Sequence, residues 1–134
     1  MSIEQRGGTI VENSLATLQK VFEALGQEIR LRLFLILCTN SFCVCELEEL
    51  FHVSQPAISR HLNILKEAGL VTDTRKGQWV FYRANPEELK TLLAGFAEGW
   101  REPLRAFGEM EEFGEKIQAL AQNPKIPCAL ERER

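Results

Sequence analysis

Apolar residues recur at steps of three and four along most of the chain, the spacing that places them on one face of a helix. This pattern predicts six helices, over 10–25, 29–37, 43–51, 55–68, 87–100 and 104–120. The helix over 29–37 is apolar on most of its faces, so we expect it to be buried on several sides. Residues 1–9 and 121–134 are mostly polar, and we expect loose ends there.

The middle of the chain combines two helices with a hairpin. Only residues 52–54 separate the helices over 43–51 and 55–68, and Ser54 is a good N-cap for the second. Two helices joined in this way are typical of a helix-turn-helix. The period then changes to two over 70–83, with Gly77 between the alternating runs, which predicts a β-hairpin. The predicted fold class is therefore mostly α with a β-hairpin wing, a winged helix-turn-helix.

Side chains suited to DNA follow the predicted turn. A helix entering the major groove needs short polar side chains near its start and longer donors one turn later. Basic residues at the hairpin tip would reach the neighbouring minor groove or the backbone. Aromatic residues at 79, 81 and 82 are expected to pack within the hairpin and on the helices, in preference to stacking on single strands. The predicted DNA contacts are Ser54, Gln55, Ser59, Arg60, His61, Asn63, Arg75 and Lys76.

The charge distribution is compatible with that function, although the whole chain carries a net charge of −3. Residues 54–83 contain five Lys and Arg against Glu67 and Asp73, a local net charge of +3. Because salt screens charges beyond about 8–10 Å, a basic segment on an acidic body still attracts phosphate.

Four cysteines are present, and Cys43 and Cys45 form a Cys-x-Cys. On an ideal helix these two side chains point about 200° apart, so their sulfurs could not reach one ion at roughly 2.3 Å. We therefore expect both to bind one thiophilic ion only if the first turn of the 43–51 helix loosens, which would misplace the DNA-binding helix.

Several runs resemble the ArsR-type metal-sensing winged-helix repressors: FCVCEL at 42–47, VSQPAISRHL at 53–62, LKEAGLV at 65–71 and GQWVFYR at 77–83. The resemblance covers about residues 15–97. It implies a homodimer built from the first and last helices, bound to a palindromic double-stranded operator and released by a metal or metalloid. The paired apolar stripes over 15–25 and 87–96 also favour a dimer seam. We predict two segments: a DNA-binding and dimerisation domain over 1–97 and a helical extension and tail over 98–134.

The resemblance also implies the ligand. Relatives with this Cys-x-Cys sense arsenite and antimonite or cadmium and lead. Many arsenite sensors have a third cysteine where this chain has Glu48. The cadmium and lead sites draw thiolates from the N-terminal arm, and residues 1–37 contain no cysteine. We therefore predict As(III) or Sb(III) as the inducer, with no organic cofactor. The predicted ligands are Cys43, Cys45 and Cys128; Cys38 is expected in the core but stays an alternative third ligand.

Other functions fit the residues less well. Zinc and nickel sensors of this type use histidines on the last dimer helix, whereas His52 and His61 both lie in the DNA-binding unit. A repressor switched by thiol oxidation or persulfidation stays an alternative, although thiols at i and i+2 of a helix close a disulfide poorly. A thiol enzyme is not expected, because the glutamates around the Cys-x-Cys disfavour a thiolate. The longest apolar run, 33–38, is too short for a membrane span, and residues 1–12 lack an apolar signal region, so we expect a cytoplasmic protein.

Overall fold

The computed structural model describes residues 14–132. The predicted first helix begins at residue 10, and residues 10–13 lie outside the described range. No helix between residues 14 and 132 has the length and apolar character needed to cross a bilayer. The helices are α1 (Leu15–Leu25), α2 (Glu28–Leu37), α3 (Val44–Phe51), α4 (Gln55–Glu67), α5 (Pro86–Gly99), α6 (Pro103–Ala106), α7 (Phe113–Leu120) and α8 (Cys128–Arg132); the strands are β1 (Phe42–Cys43), β2 (Val71–Lys76) and β3 (Trp79–Ala84).

The core forms where the inward faces of the first four helices meet. Ser14 starts α1, because its hydroxyl accepts a hydrogen bond from the Ala16 N–H at 3.2 Å. The expectation that α2 is buried on several sides is wrong, since Leu31 and Leu35 are exposed. Likewise Leu50 of α3 is exposed. The buried apolar side chains of these helices are Leu18, Val21, Ala24, Leu33, Phe34, Leu37, Leu47, Ile58, Leu62 and Leu65.

The predicted helix-turn-helix is confirmed. α3 ends at His52, whose φ of 57° is left-handed and turns the chain sharply. Ser54 then caps α4, with its hydroxyl 3.4 Å from the Ala57 N–H. At the other end of α4, Gly69 has a φ of 79°, a conformation that glycine adopts without strain. Local features therefore define both ends of α4, a side-chain cap at Ser54 and a left-handed glycine at Gly69.

The predicted wing is also confirmed, with one strand more than the sequence indicated. β2 and β3 pair antiparallel from Val71 with Ala84 to Lys76 with Trp79, and Gly77 (φ 63°) turns the chain. β1 adds to the other edge of β3, in the order β1-β3-β2. The expectation that Trp79 packs in the hairpin is wrong, because it is 49% exposed at the tip.

The C-terminal part differs most from prediction. The apolar stripe of α5 is divided between the core and the surface, since Leu92 is buried and Leu93 is exposed. Instead of one helix over 104–120, the chain forms α6, a 3-10 turn (Gly108–Met110) and α7. The break falls at Phe107, whose extended backbone carries a side chain only 4% exposed into the core. The last residues are not wholly loose either, since α8 forms and Ala129 is buried.

Candidate functional site

The two thiols of the Cys-x-Cys lie side by side. Cys43 is the last residue of β1 and the N-cap of α3, with extended backbone angles (φ −87°, ψ 167°), whereas Cys45 is already helical. Their sulfurs are 2.9 Å apart, and neither forms a disulfide. The predicted opposite orientation of the two side chains is therefore wrong. That prediction assumed that both cysteines are helical, but the helix begins at Val44, one residue after Cys43.

The position of Cys43 is fixed from two directions. Its N–H donates to the Glu46 carboxylate at 3.0 Å, and its side chain faces the Glu46 N–H in return, which is the arrangement of a capping box. Through β1, Cys43 also pairs with Phe81 of the wing. Sequence reasoning missed both contacts, although the Cys-x-x-Glu spacing of a capping box was visible.

The surroundings of Cys45 favour the protonated form of its thiol. The hydrogen bond with Cys43 raises the pKa of Cys45 above its ordinary value, with smaller contributions from desolvation and from the charges of Cys43 and Glu46. Cys45 is exposed, whereas Cys43 is buried. One sulfur of the two is thus open to an incoming ligand.

The other predicted ligands lie apart. Cys38 is the C-cap of α2 and is exposed, so the expectation that it belongs to the core is wrong. Cys128 is exposed at the start of α8. Over residues 14–132 of one chain, no three His, Cys, Asp or Glu side chains form a group able to hold a metal ion. Cys128 of the same chain is therefore not gathered with Cys43 and Cys45 in the described part of the chain, and its role as a third ligand stays a prediction.

The outer face of α4 carries the predicted DNA contacts. Its inner face is buried through Ile58, Leu62 and Leu65. The short polar side chains cluster at the helix start, where the free N–H groups and the positive end of the helix dipole favour phosphate. The predicted contacts that are exposed on this face are Ser54, Gln55, Ser59, Arg60 and Asn63.

His61 is placed differently from the other predicted contacts. It is half-buried, and its Nδ1 lies 3.2 Å from Nη1 of Arg30. Burial lowers the pKa of His61, and the charges of Arg30 and Arg60 lower it further. One ring nitrogen is therefore used inside the protein. Sequence reasoning missed Arg30, which is one of the two arginines, with Arg32, in the otherwise apolar 29–37 segment.

The basic residues near the wing divide into free and paired ones. Arg75 and Lys76 are exposed at the hairpin tip, where Lys76 Nζ lies 6.0 Å from the centre of the Phe81 ring. Lys66, by contrast, forms an ion pair with Asp73 at 2.8 Å, and that hydrogen bond raises the pKa of Lys66. The ion pair ties α4 to β2 and removes Lys66 from the charge available to DNA.

A ridge of aromatic side chains joins the first and last long helices. Phe22 of α1 meets Phe96 of α5 edge to face at 5.5 Å, and Phe96 meets Trp100 at 5.2 Å. Trp100 is 62% exposed, and Phe22 and Leu93 are also exposed. We call these four residues the aromatic ridge. An apolar surface of this kind on two neighbouring helices is typical of an interaction site.

Comparisons with known proteins agree with this arrangement. Residues 27–73 match the family described as "Bacterial regulatory protein, arsR family". The chain is 40% identical over 104 residues to the arsenic resistance transcriptional regulator ArsR1 of Pseudomonas putida, covering 74% of this chain and 81% of that protein. It is 37% identical over 105 residues to the arsenical resistance operon repressor of Escherichia coli K12, covering 78% and 81%.

A solved structure has the same fold. The crystal structure of a "Possible transcriptional regulator for arsenical resistance" superposes with a TM-score of 0.53 and 32% identity, covering 72% of this chain and 94% of that one. These relatives are transcriptional regulators and not enzymes. The match to the family, the close relatives and the winged helix-turn-helix together show that this chain is a DNA-binding transcriptional regulator of the ArsR family.

Proposed function

We propose that this chain is a homodimeric repressor that leaves its operator when As(III) or Sb(III) binds Cys43 and Cys45. The observation that carries the proposal is the 2.9 Å separation of the two sulfurs at the start of the helix that precedes α4. The names of the two relatives above, which concern arsenic and arsenical resistance, support the choice of ligand. Because its proposed target is operator DNA, we expect this protein to act in the cytoplasm.

The dimer uses the aromatic ridge. Phe22, Leu93 and Trp100 expose apolar area that a second copy of the chain would cover. A two-fold axis beside α1 and α5 would present two α4 helices to one side of the duplex. A palindromic operator is the DNA that matches such a dimer.

The free and paired basic residues of α4 give a test of the DNA face. Replacing Arg60 with alanine is expected to weaken operator binding about tenfold or more, since a contact to base or phosphate contributes roughly 1–3 kcal/mol. Replacing Lys66 and Asp73 together with alanine is the matched control, because the ion pair carries no net charge and its removal leaves no unpaired carboxylate. Fluorescence anisotropy with a labelled duplex, repeated at several salt concentrations, measures both. Equal losses in the two variants would contradict the assignment of this face.

The thiol pair fits a thiophilic ligand. Two thiolates bound at about 2.3 Å to one atom lie roughly 3.3–3.7 Å apart, so the sulfurs need to separate by less than about 1 Å. Side-chain rotation supplies such a change without unwinding α3. Soft thiolates select thiophilic species over magnesium or calcium. Cys43 and Cys45 would therefore hold the metalloid, with a solvent oxygen completing its coordination.

The binding site is connected to both DNA-contacting elements. The Cys43 side chain and the Glu46 carboxylate cap α3 reciprocally, and a ligand on the sulfur would compete with that cap. The same residue lies opposite Phe81 of the wing in the antiparallel pairing of β1 with β3. A shift at Cys43 thus acts on α3, which leads into α4, and on β3. By linkage, a ligand that prefers the shifted state weakens DNA binding by the factor by which DNA weakens ligand binding.

Proton release distinguishes arsenite from cadmium. Arsenous acid is neutral near pH 7 and exchanges hydroxyl groups for thiols, As(OH)3 + 2 RSH → (RS)2As(OH) + 2 H2O, with no proton released. Cadmium binding releases the protons of protonated thiols, and the raised pKa of Cys45 keeps that thiol protonated. Between pH 6 and 8 we expect arsenite affinity to stay nearly constant and cadmium affinity to rise at least tenfold per pH unit. Competition titrations at three pH values measure this; a steep rise for arsenite would contradict the scheme.

Oxidation of the same thiols is a second candidate, because the sulfurs are adjacent and the geometric objection to a disulfide no longer holds. Hydrogen peroxide would accept the two electrons released when the S–S bond forms. The step is 2 RSH + H2O2 → RSSR + 2 H2O, and the two thiol protons leave in the water. The protonated Cys45 thiol disfavours this route, since the thiolate is the attacking species.

One experiment separates these readings. The reduced protein is bound to a labelled duplex that it has itself selected from a randomised pool, and release is followed by anisotropy. We expect release by sodium arsenite at concentrations where hydrogen peroxide, a persulfide donor and zinc chloride have no effect. Release by peroxide or persulfide but not by arsenite would replace the metalloid with a thiol switch, and release by none of them would overturn the proposal.

A further inference from the structure

Arg30 is a buried cation without a carboxylate partner among residues 14–132. Its side chain is 7% exposed and lies between three elements. Nε and Nη2 donate to the carbonyl oxygens of Ala24 and Glu23, at 2.7 and 3.2 Å, which lie at the C-terminal end of α1. Nη1 donates to Gln27 Oε1 at 3.2 Å. The carbonyls carry the negative end of the α1 dipole, which stabilises the buried guanidinium.

The same Nη1 lies 3.2 Å from Nδ1 of His61 on α4. A guanidinium has only donors, so Nδ1 must accept, and an accepting Nδ1 carries no proton. The neutral imidazole then has its proton on Nε2. The charged groups acting on the ring are Arg30 of α2 and Arg60 of its own helix, and together with burial they lower the pKa of His61. α1 contributes carbonyl groups that face Arg30 rather than the ring.

We propose that Arg30 is a positioning residue for operator recognition: it fixes His61 as the neutral Nε2–H tautomer, a donor that α4 aims at an acceptor on the DNA. His61 is half-buried on the flank of α4, about 100° around the helix from the exposed Arg60. The guanidinium therefore fixes two things, the angle of the ring and the nitrogen that donates. This inference rests on the DNA-binding function and is independent of the thiol site.

The first measurement concerns the 134-residue chain in the absence of DNA. Long-range ¹H–¹⁵N spectra distinguish protonated from unprotonated ring nitrogens, with a His52→Gln variant used to assign the His61 signals. We expect Nδ1 to be unprotonated and Nε2 protonated at neutral pH. A protonated Nδ1, or an even mixture of tautomers, would overturn the inference whatever the DNA measurements give.

The second measurement concerns affinity for the selected duplex. Glutamine at position 61 can accept from Arg30 and donate to DNA, whereas alanine can do neither. We expect His61→Ala to weaken binding about tenfold and His61→Gln to stay within about threefold of the wild type. Arg30→Lys keeps the charge but not the planar fork, and it is expected to mix the His61 tautomers. The proposal would be overturned if His61→Ala and His61→Gln bound the duplex with equal affinity, whether both matched the wild type or both were weakened.

The pH dependence of the free energy of unfolding gives an independent check on the protonation of the His61 ring. The pKa of His61 is lowered in the folded state, so the unfolded imidazole, which binds a proton below about pH 6.5, takes it up more readily. Wild-type stability should therefore fall as the pH drops below that value, relative to His61→Gln. A parallel pH dependence of the two proteins would count against the Arg30 contact. If wild type selects no duplex at all, the DNA function fails while the tautomer result still decides the role of Arg30.

Discussion

Replacing either Cys43 or Cys45 with serine is expected to abolish arsenite-induced release of the DNA, rather than to halve it. Each variant leaves one thiol, and a single thiolate loses the chelation that the adjacent sulfurs provide. Serine is a preferred N-cap, so Cys43→Ser keeps the cap of α3 and the pairing of β1. Operator affinity without arsenite should therefore stay within about twofold of the wild type, as measured by anisotropy.

The matched control for this prediction is Cys38→Ser, which removes an exposed cysteine at the end of α2. Its response to arsenite should equal that of the wild type. Full release of the Cys43→Ser and Cys45→Ser variants by arsenite would place the ligand elsewhere in the molecule. Loss of the response in Cys38→Ser alone would point to the same conclusion.

Replacing Phe107 with alanine is expected to destabilise the whole fold by about 3–5 kcal/mol. The ring is 4% exposed, lies 6.1 Å from the Phe96 ring and packs so closely on Gly99 that a Cβ there would come within 2.6 Å of it. It joins the C-terminal segment to the core of the DNA-binding unit. Urea unfolding, followed by circular dichroism at fixed protein concentration, measures the change in the free energy of unfolding.

The control for Phe107 is Phe113→Ala, another phenylalanine of the same segment that is 38% exposed. Its cost should stay below about 1 kcal/mol, because it leaves no cavity in the core. A small effect of Phe107→Ala, equal to that of Phe113→Ala, would mean that the segment after residue 97 is an independent tail. That result would support the predicted division of the chain at residue 97.

The sequence predicted the DNA-binding unit well because its features are local. Ser54, Gly69 and Gly77 each mark a cap or a turn, and the change of apolar period between them separates α4 from the hairpin. Local periodicity could not show β1, which is two residues long and exists only because β3 lies beside it. One residue of error at the start of α3 was enough to reverse the predicted direction of the Cys43 sulfur.

The remaining differences arise from contacts distant in sequence. Phe107 breaks the predicted 104–120 helix because the core offers its ring a place against Gly99. Lys66 and Asp73 entered the local charge count as separate residues, whereas the fold brings them together as an ion pair between α4 and β2. Arg30 and Arg32 both interrupt the apolar 29–37 run, and the fold distinguishes them, since Arg30 is buried against His61 of another helix and Arg32 is exposed. Pattern identifies which residues matter in such cases, and the tertiary fold decides what each one contacts.

The most direct test of the central claim is an arsenic K-edge absorption spectrum of the arsenite-loaded protein, since it counts the sulfur neighbours of the metalloid. We predict two sulfur neighbours and one oxygen, unchanged in Cys128→Ser. A third sulfur lost in Cys128→Ser would instead bring in the Cys128 of a second chain. In Cys43→Ser/Cys45→Ser the sulfur neighbours should vanish, and their persistence in that variant would contradict the account.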